Sequence, residues 1–253
     1  MKQLQKAVRA HRSGCLLAGC ILTGALLGVF MAFISINLKL NQTIGGTVIN
    51  ILALGISSFF YQVGISTKGK FTPIALGPLA DIPLIGPVLF DNPPITYIAL
   101  VLVVVSHLFL FHTRWGLRMR AVGEHPRAAD TLGIDVNRTR YIYTIIGGAL
   151  AGLGGTFLTL EGVGMFERNM TNGRGFIALA VMIFGKWTPF GAMLAAMLFG
   201  LANALQAQLQ FMGVLLPHQF IGMIPYLLTI IVVSGFVGRS RAPAAEGIPY
   251  EKE

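Results

Sequence analysis

Long apolar runs separated by short polar connections dominate this sequence. Such runs reach about 20 residues, the length that an α-helix needs to cross the hydrocarbon core of a bilayer. Because lipid offers no hydrogen-bond partners, a segment of this length pairs its backbone groups internally, as a helix does. The sequence therefore predicts an all-α, polytopic transmembrane helical bundle of about six spans, at residues 14–36, 43–64, 94–111, 141–163, 176–209 and 219–237.

The composition agrees with a membrane protein and argues against a nucleic-acid partner. Only 11% of the 253 residues are charged, whereas a soluble domain has about a quarter. The net charge of +9 comes from basic residues at span ends and in one loop, without interleaved aromatic residues. Orientation in the membrane and contact with lipid headgroups explain such a pattern. We expect membrane lipid as a partner and no nucleic acid.

The segment 112–140 is the most strongly charged part of the chain and fixes its orientation. Lys and Arg near span ends stay on the cytoplasmic side, so this loop is predicted to be cytoplasmic and the Pro- and Gly-rich loop 65–93 periplasmic, within a single transmembrane domain, 1–253. Residues 124–132 predict a short helix, with Pro126 in its first turn and Gly133 at its end. An exposed cytoplasmic helix is a candidate docking site for a soluble partner.

The segment 176–209 is interrupted. Its first part, 176–184, is apolar but too short to span, and Lys186 and Pro189 precede a longer apolar run. Half-length segments of this kind are typical of broken or re-entrant helices beside a substrate path. One kinked span would give a similar sequence, so both interpretations stand at this point.

Small residues predict close helix packing. Gly24 and Gly28 form a G-x-x-x-G pair in the first span, and residues 147–155 of the fourth span read GGALAGLGG. Glycines at this spacing let two helices approach along their backbones. The second stretch lacks the spacing and the preceding strand of a nucleotide fingerprint. Cys15 and Cys20 have no His or Cys cluster around them, so we expect neither a disulfide framework nor a metal site.

The two ends of the chain differ in how they fit this topology. If the segment 176–209 crosses the membrane once, counting the spans from the cytoplasmic loop places the basic tail after residue 237 on the cytoplasmic side. The same count puts the basic residues 1–12 outside, against the positive-inside tendency. We therefore expect that upstream spans are missing, through truncation or a mis-assigned start.

Three stretches carry a resemblance to a known family: AVGEHPRAADTLGIDVNRTR at 121–140, the segment 173–200 that begins with GRGF, and residues 38–61. They resemble ABC-importer inner-membrane permeases of the ribose, nucleoside and branched-chain amino-acid type, and are most similar to the second permease of nucleoside uptake systems that depend on a basic membrane protein. The resemblance covers roughly residues 24–239. Permeases of this type usually carry further spans before the one near Gly14, in line with the topology conflict.

This resemblance implies the partners and the place of the chain. They are a second permease, a cytoplasmic ATP-binding subunit and a periplasmic or lipoprotein solute-binding protein, in the bacterial plasma (inner) membrane. The sequence has no Walker motif. We therefore expect no catalytic residue and no cofactor in this chain, with ATP and Mg²⁺ bound and hydrolysed on the partner subunit.

The family's loop pattern assigns coupling to the ATP-binding subunit to six residues: Gly123, Glu124, Ala128, Ala129, Leu132 and Gly133. Small alanines would let the short helix enter a cleft of the partner, with Leu132 as an apolar anchor and Glu124 as an orienting charge. The alternative is a solvated loop without a docking role.

Polar and aromatic residues of the spans are candidates for the substrate path. Amides can pair with ribose hydroxyls or base edges, and an aromatic ring can stack on a base. The alternative for each amide is an interhelical hydrogen bond. The candidates are Asn41, Gln42, Asn50, Phe176, Asn203 and Gln206.

Three ionisable residues allow weaker interpretations. Glu161 and Arg168 are predicted near the outer face, at the membrane interface or, alternatively, in contact with a binding protein. His107 lies near the end of a span, where a proton relay is conceivable, but no carboxylate is near it in sequence and a passive His is favoured.

The expected function is a permease subunit that moves a small polar solute, with nucleoside as the first choice. A sugar or branched-chain amino-acid importer, a secondary carrier and a truncated, non-functional permease remain as alternatives. A secondary carrier would need paired intramembrane carboxylates or inverted repeats. An intramembrane protease would need a Ser–His, paired Asp or H-E-x-x-H arrangement. None of these patterns occurs in the sequence.

Overall fold

The structure, a computed structural model, describes residues 2–62, 71, 73–75, 90–212, 223 and 240–251. The described chain is mostly helical, with α-helices at Lys2–Ala32 (α1), Gln42–Gln62 (α2), Pro94–His112 (α3), Arg114–Glu124 (α4), Pro126–Thr131 (α5), Val136–Thr156 (α6), Arg174–Phe184 (α7) and Pro189–Phe211 (α8). Wider π-helical turns continue α1 over Phe33–Asn37 and α6 over Phe157–Val163. Two short antiparallel strands, Ile74–Ala75 and Asp91–Asn92, pair Ile74 with Asn92.

Within the described residues, five helical segments are long and apolar enough to cross a membrane: Gly14–Asn37, Gln42–Gln62, Pro94–His112, Val136–Val163 and Pro189–Phe211. The predicted fold class, a polytopic helical membrane protein, is therefore confirmed. The predicted last span, 219–237, and most of the predicted loop 65–93 lie outside the described residues.

The fourth of these segments begins earlier than the sequence predicted. Asp135 precedes α6, and its carboxylate accepts a hydrogen bond from the Arg138 N–H at 2.9 Å. An aspartate in this position satisfies one of the free N–H groups of a helix start. The helix consequently begins at Val136 and carries Arg138 and Arg140 in its first turns, ahead of the apolar run that starts at Tyr141.

The chain forms two compact units. The first contains Met1–Val101, Arg114–Asn172 and Ala244–Glu253, and the second contains Leu102–Thr113 and Gly173–Pro243. α1, α2, α4, α5 and α6 belong to the first unit, and α7 and α8 belong to the second.

The first unit is built on direct backbone contact between α1 and α6. Gly24 and Gly28 of α1 meet Gly148 and Gly152 of α6, as the glycine spacing predicts. A Cβ atom added at Gly24 would lie 2.3 Å from the Gly148 carbonyl oxygen, and one at Gly152 would lie 2.2 Å from the Cys20 carbonyl oxygen. Only hydrogen fits at these positions, so glycine is what lets the two helices lie this close.

At the far end of α6 the first unit buries a carboxylate. Glu161 is 6% exposed; its Oε1 accepts the Ile95 N–H at 2.5 Å and its Oε2 accepts the Thr96 hydroxyl at 3.1 Å. The free N–H groups and the dipole at the start of a helix favour a negative charge there. Glu161 therefore caps the start of α3, and its predicted place near the outer face stays a prediction.

In the second unit, the segment predicted as interrupted consists of two helices. α7 has 11 residues, too few to span, and α8 has 23. Between them Lys186 and Trp187 have φ values of +52° and +59°, a conformation that ends a right-handed helix. The Thr188 hydroxyl then accepts the Gly191 N–H at 3.2 Å and caps α8.

Replacing Gly148 by alanine should destabilise the first unit by about 1–3 kcal/mol, the usual cost of forcing an extra carbon into a packed contact. The reason is that its Cβ would lie 2.4 Å from the Gly24 carbonyl oxygen, which is backbone and cannot turn away. Gly147→Ala is the matched control, because a Cβ at Gly147 meets nothing within 4 Å. Thermal unfolding of the purified protein in detergent measures both; equal midpoints would contradict the helix contact.

Replacing Glu161 by alanine should cost about 1–3 kcal/mol of stability, because the buried Ile95 N–H and Thr96 hydroxyl lose their acceptor. Glu167→Ala is the control, because Glu167 is exposed and lies shortly after Glu161 in the chain. The two variants can be compared by their unfolding midpoints in detergent. A loss of stability as large in Glu167→Ala as in Glu161→Ala would contradict the capping role.

Candidate functional site

The charged loop 112–140 is a packed helical element. α4 and α5 meet at His125, and Val122, Ala129 and Val136 form a small buried core beneath them. Ala121, Ile134 and Tyr250 pack around this core. The core joins α4, α5 and the first turn of α6, so α5 has a defined position on α6.

The end of α5 is set by Gly133. Its φ is +80°, its N–H donates to the Asp130 carbonyl at 2.9 Å, and the next N–H, of Ile134, donates to the Ala129 carbonyl at 3.1 Å. This pair of bonds is a Schellman motif, which favours glycine at the left-handed position. The predicted helix 124–132 is shorter in the structure because Glu124 ends α4 and Leu132 belongs to this closing turn.

The six residues predicted for coupling divide by exposure. Glu124, Ala128, Leu132 and Gly133 are exposed, with Leu132 81% accessible. Gly123 is half-buried, and Ala129 is only 2% exposed, inside the small core. Ala129 therefore holds α5 on α6 and offers no surface to a partner. The docking role of the others stays a prediction.

The C-terminal segment 244–251 lies against these helices. The Ala245 N–H donates to the Gly123 carbonyl at 3.0 Å, the Arg140 guanidinium donates to the Ile248 carbonyl at 2.9 Å, and Tyr250 packs on the small core. Sequence reasoning missed this contact, because the segment is short and polar and its partners lie more than a hundred positions away.

An ion pair closes the end of this segment. The Glu251 carboxylate lies 2.6 Å from the Lys39 ammonium, in the connection between α1 and α2. Lys39 lowers the pKa of the Glu251 carboxyl, by hydrogen bonding and by its charge. Because the pKa is lowered in the folded protein, this pair stabilises above the ordinary carboxyl pKa and is lost as the pH falls through the lowered value. Both side chains are exposed, so salt screens the pair.

A cleft of about 760 Å³ opens between the α4–α5 turn and the C-terminal segment. Its walls are partly apolar, with Pro126, Ala128 and Ile248, and its charged side chains include Glu124 and Arg127. An apolar floor with a few charges at its rim suits protein side chains. The exposed residues on the α4–α5 side of this cleft, Glu124 and Ala128, form the candidate docking surface together with Leu132.

The candidates for a substrate path lie in separate parts of the chain. In the first unit, Asn41, Gln42 and Asn50 are exposed, and the Asn41 side chain accepts the Thr43 N–H at 2.8 Å, which caps the start of α2. In the second unit, Phe176 is 76% exposed on α7, and Asn203 and Gln206 are three residues apart on α8, a spacing that puts them on one face. Their contact with substrate stays a prediction.

A second cleft, of about 910 Å³, lies beside the α1–α6 contact. Small and apolar residues of α1, α2 and α6 line it, among them Gly19, Gly46 and Gly147. Among the residues that the structure describes, neither the six substrate-path candidates nor any charged residue lies in its lining. It is an apolar recess at membrane depth.

His107 lies in an aromatic cluster of the second unit. Its ring is 4.9 Å from that of Phe111 and 4.6 Å from that of Phe190, between centroids. Among the residues that the structure describes, no group of three His, Cys, Asp or Glu side chains comes together. The surroundings of His107 thus agree with a passive aromatic contact.

A model of one protein family, described as the permease component of branched-chain amino acid transport systems, matches residues 5–233. The guanosine ABC transporter permease protein NupQ of Bacillus subtilis is 40% identical, over 93% of this chain and 77% of its own length. The nucleoside ABC transporter permease protein NupC of Lactococcus lactis is also 40% identical, over 92% and 77%. TsgC13 of Haloferax volcanii, a permease named for glucose transport, is 37% identical, over 88% and 74%. No solved structure matches the chain.

Gly133→Ala should loosen the end of α5 by about 1–2 kcal/mol, the cost of a left-handed conformation for a residue with a Cβ. Gly133→Asn is the matched control, because asparagine tolerates that conformation. Hydrogen exchange of the Ile134 amide reports the change, since this amide closes the motif. Exchange as fast in the asparagine variant as in the alanine variant would show that conformation at Gly133 is not what holds the turn.

Proposed function

We propose a function from one premise: the chain belongs to the family of permease components of branched-chain amino acid transport systems, whose model covers most of it. It is the membrane-spanning permease subunit of an ATP-binding-cassette importer. Within that function, nucleosides are the solute that we propose, and the bacterial inner membrane is the proposed location.

Nucleosides are supported by the names of two similar relatives. Two permeases at 40% identity are named for guanosine and for nucleosides, and the one at 37% is named for glucose. A sugar is the second candidate on that ground, and it shares with a nucleoside the ring hydroxyls that amides can bind. Discrimination between the two would come from the base, which needs an aromatic or apolar contact.

Residues of the second unit are proposed to contact the base and the ribose. The exposed ring of Phe176 offers a stacking surface, and the amides of Asn203 and Gln206 share one face of α8. In the first unit, Gln42 and Asn50 carry exposed amides on α2, whereas the Asn41 amide already caps its helix. Polar groups that face lipid are costly, so exposed amides in a span are expected to face the partner permease or the path between the two permeases.

Energy for transport is proposed to come from a separate ATP-binding subunit, because this sequence has no Walker motif. ATP and Mg²⁺ would bind there and not to this chain. The proposed docking surface consists of the exposed side chains of Glu124, Ala128 and Leu132. The observation that carries this proposal is that α5 is fixed on a small buried core while Ala128 and Leu132 stay exposed. A second permease and a periplasmic or lipoprotein solute-binding protein complete the proposed importer.

Uptake by cells that express the complete importer, with this chain present or deleted, tests the solute. Labelled guanosine, a second nucleoside, ribose, glucose and a branched-chain amino acid form the panel. We expect nucleoside uptake that depends on this chain. Uptake of glucose alone would support the importer function and show that the solute is glucose and not a nucleoside. Uptake unchanged by the deletion, with all other subunits present, would contradict the transport role.

Leu132→Ala should lower uptake and weaken retention of the ATP-binding subunit by about tenfold, which corresponds to about 1.4 kcal/mol of binding free energy for a lost apolar anchor. Glu124→Ala should act in the same direction and more weakly, since its carboxylate is exposed. Glu167→Ala is the control, an exposed glutamate at the other end of α6. Co-purification with the tagged ATP-binding subunit, with uptake measured in parallel, gives the result; full retention in Leu132→Ala would remove Leu132 from the docking surface.

A further inference from the structure

The C-terminal segment 244–251 makes contacts that go well beyond its own neighbourhood in the sequence. It touches the end of α4 through Ala245, the start of α6 through Ile248, and the connection between α1 and α2 through Glu251. Tyr250 adds packing against the core below α5. An eight-residue segment thus joins α4 and α6 to the connection between α1 and α2, which lies far from them in the chain.

The helices α4 and α5 pack on the start of α6, and the segment 244–251 adds a separate contact to the connection between α1 and α2. In the chain they are joined to the spans only at their two ends, through Thr113 and through Ile134 and Asp135. Coupling between two sites is carried by contiguous packed and hydrogen-bonded elements. The segment 244–251 links the α4–α5 turn to the loop between α1 and α2. The residues that join α4 and α5 to the spans along the chain make no such link.

We propose that residues 244–251 act as a strap that holds the coupling helices α4 and α5 in register with the first two spans, and that Tyr250 and Glu251 are its positioning residues. This proposal rests on the proposed function, because it concerns the transfer of ATP-driven movement to the permease. The strap remains docked throughout the transport cycle. It positions the docking surface and does not itself bind solute or ATP.

The separate contacts of the strap define its roles. The Ala245 N–H and the Ile248 carbonyl are backbone groups, so the path of the segment matters more than its side chains. The Tyr250 ring is the side chain that packs on the core of Val122, Ala129 and Val136. The Lys39–Glu251 pair is exposed and makes a smaller contribution. Glu246, in the same segment, is exposed and serves as a comparison of equal charge.

The first test is the number of ATP molecules hydrolysed per solute imported by the complete importer in proteoliposomes. Deleting residues 244–253 or making Tyr250→Ala should raise this number by about fivefold or more, the lower end of the effect when coupling between two sites is lost. Glu246→Gln should leave it unchanged. A ratio unchanged by both the deletion and Tyr250→Ala overturns the strap.

The second test exchanges the charges of the ion pair. Lys39→Glu and Glu251→Lys should each raise the ratio of ATP to solute less than Tyr250→Ala does, because an exposed pair is weak. The double variant should restore the ratio, since it rebuilds the pair with opposite polarity. Recovery in the double variant would show that the two charges act as a pair, and a double variant worse than either single variant overturns the pairing.

Retention of the ATP-binding subunit separates the remaining outcomes. We expect every strap variant to keep that subunit, as judged by co-purification. If the deletion or Tyr250→Ala releases it, the segment is a docking surface and the strap is wrong. If the unaltered importer takes up no solute of the panel, the proposed function itself fails, a result distinct from any change in the ratio.

Discussion

The backbone contact between α1 and α6 is the interaction on which the first unit depends. Water drives no association between helices inside lipid, so their packing rests on close van der Waals contact and on small residues that permit it. Gly24 and Gly28 against Gly148 and Gly152 provide that contact with no side chain between the helices. Because α6 carries the coupling helices at its start and Glu161 at its end, the glycine contact with α1 positions both.

The two ends of α6 carry charged groups of opposite sign. Its start carries Arg138 and Arg140, which belong to the basic loop, and its final π-helical turn buries a carboxylate that caps α3. The contacts within the first unit place its inter-helix connections in two groups, one at each end of α6. Lys39, the α4–α5 turn and the C-terminal segment meet one another, and Phe71 donates to the Leu160 carbonyl next to Glu161. When successive helices alternate in direction, their connections fall into two such groups, one at each end of the helices.

Sequence patterns predicted those parts of the structure that local rules determine. The apolar runs identified helices, the four-residue glycine spacing indicated which faces touch, and Gly133 marked the end of α5, because each of these signals lies within a few residues of its effect. The same reasoning missed the hydrogen-bond partner of Glu161, because Ile95 lies 66 positions away. It also missed the C-terminal segment, joined to Lys39 across 212 positions. Such pairs form by tertiary folding and leave no periodic pattern.

Ala129 illustrates how position decides between two interpretations of one residue type. A small residue on a docking helix can either face a partner or let its own helix lie close to another, and sequence alone treats Ala128 and Ala129 alike. The 100° turn between neighbours puts Ala128 outside and Ala129 in the core with Val122 and Val136. The docking surface therefore depends on a residue that never touches it.

The short length of α5 makes this dependence strict. An isolated helix of six residues is not stable in water, because nucleation fixes several residues before many hydrogen bonds form. α5 therefore owes its helical form to Ala129, to the Gly133 motif and to the packing of Ile134 and Tyr250. A partner that presses on α5 consequently presses on α6 through the same contacts. Since α6 lies directly on α1 without intervening side chains, a shift of α4 and α5 would pass through α6 to α1.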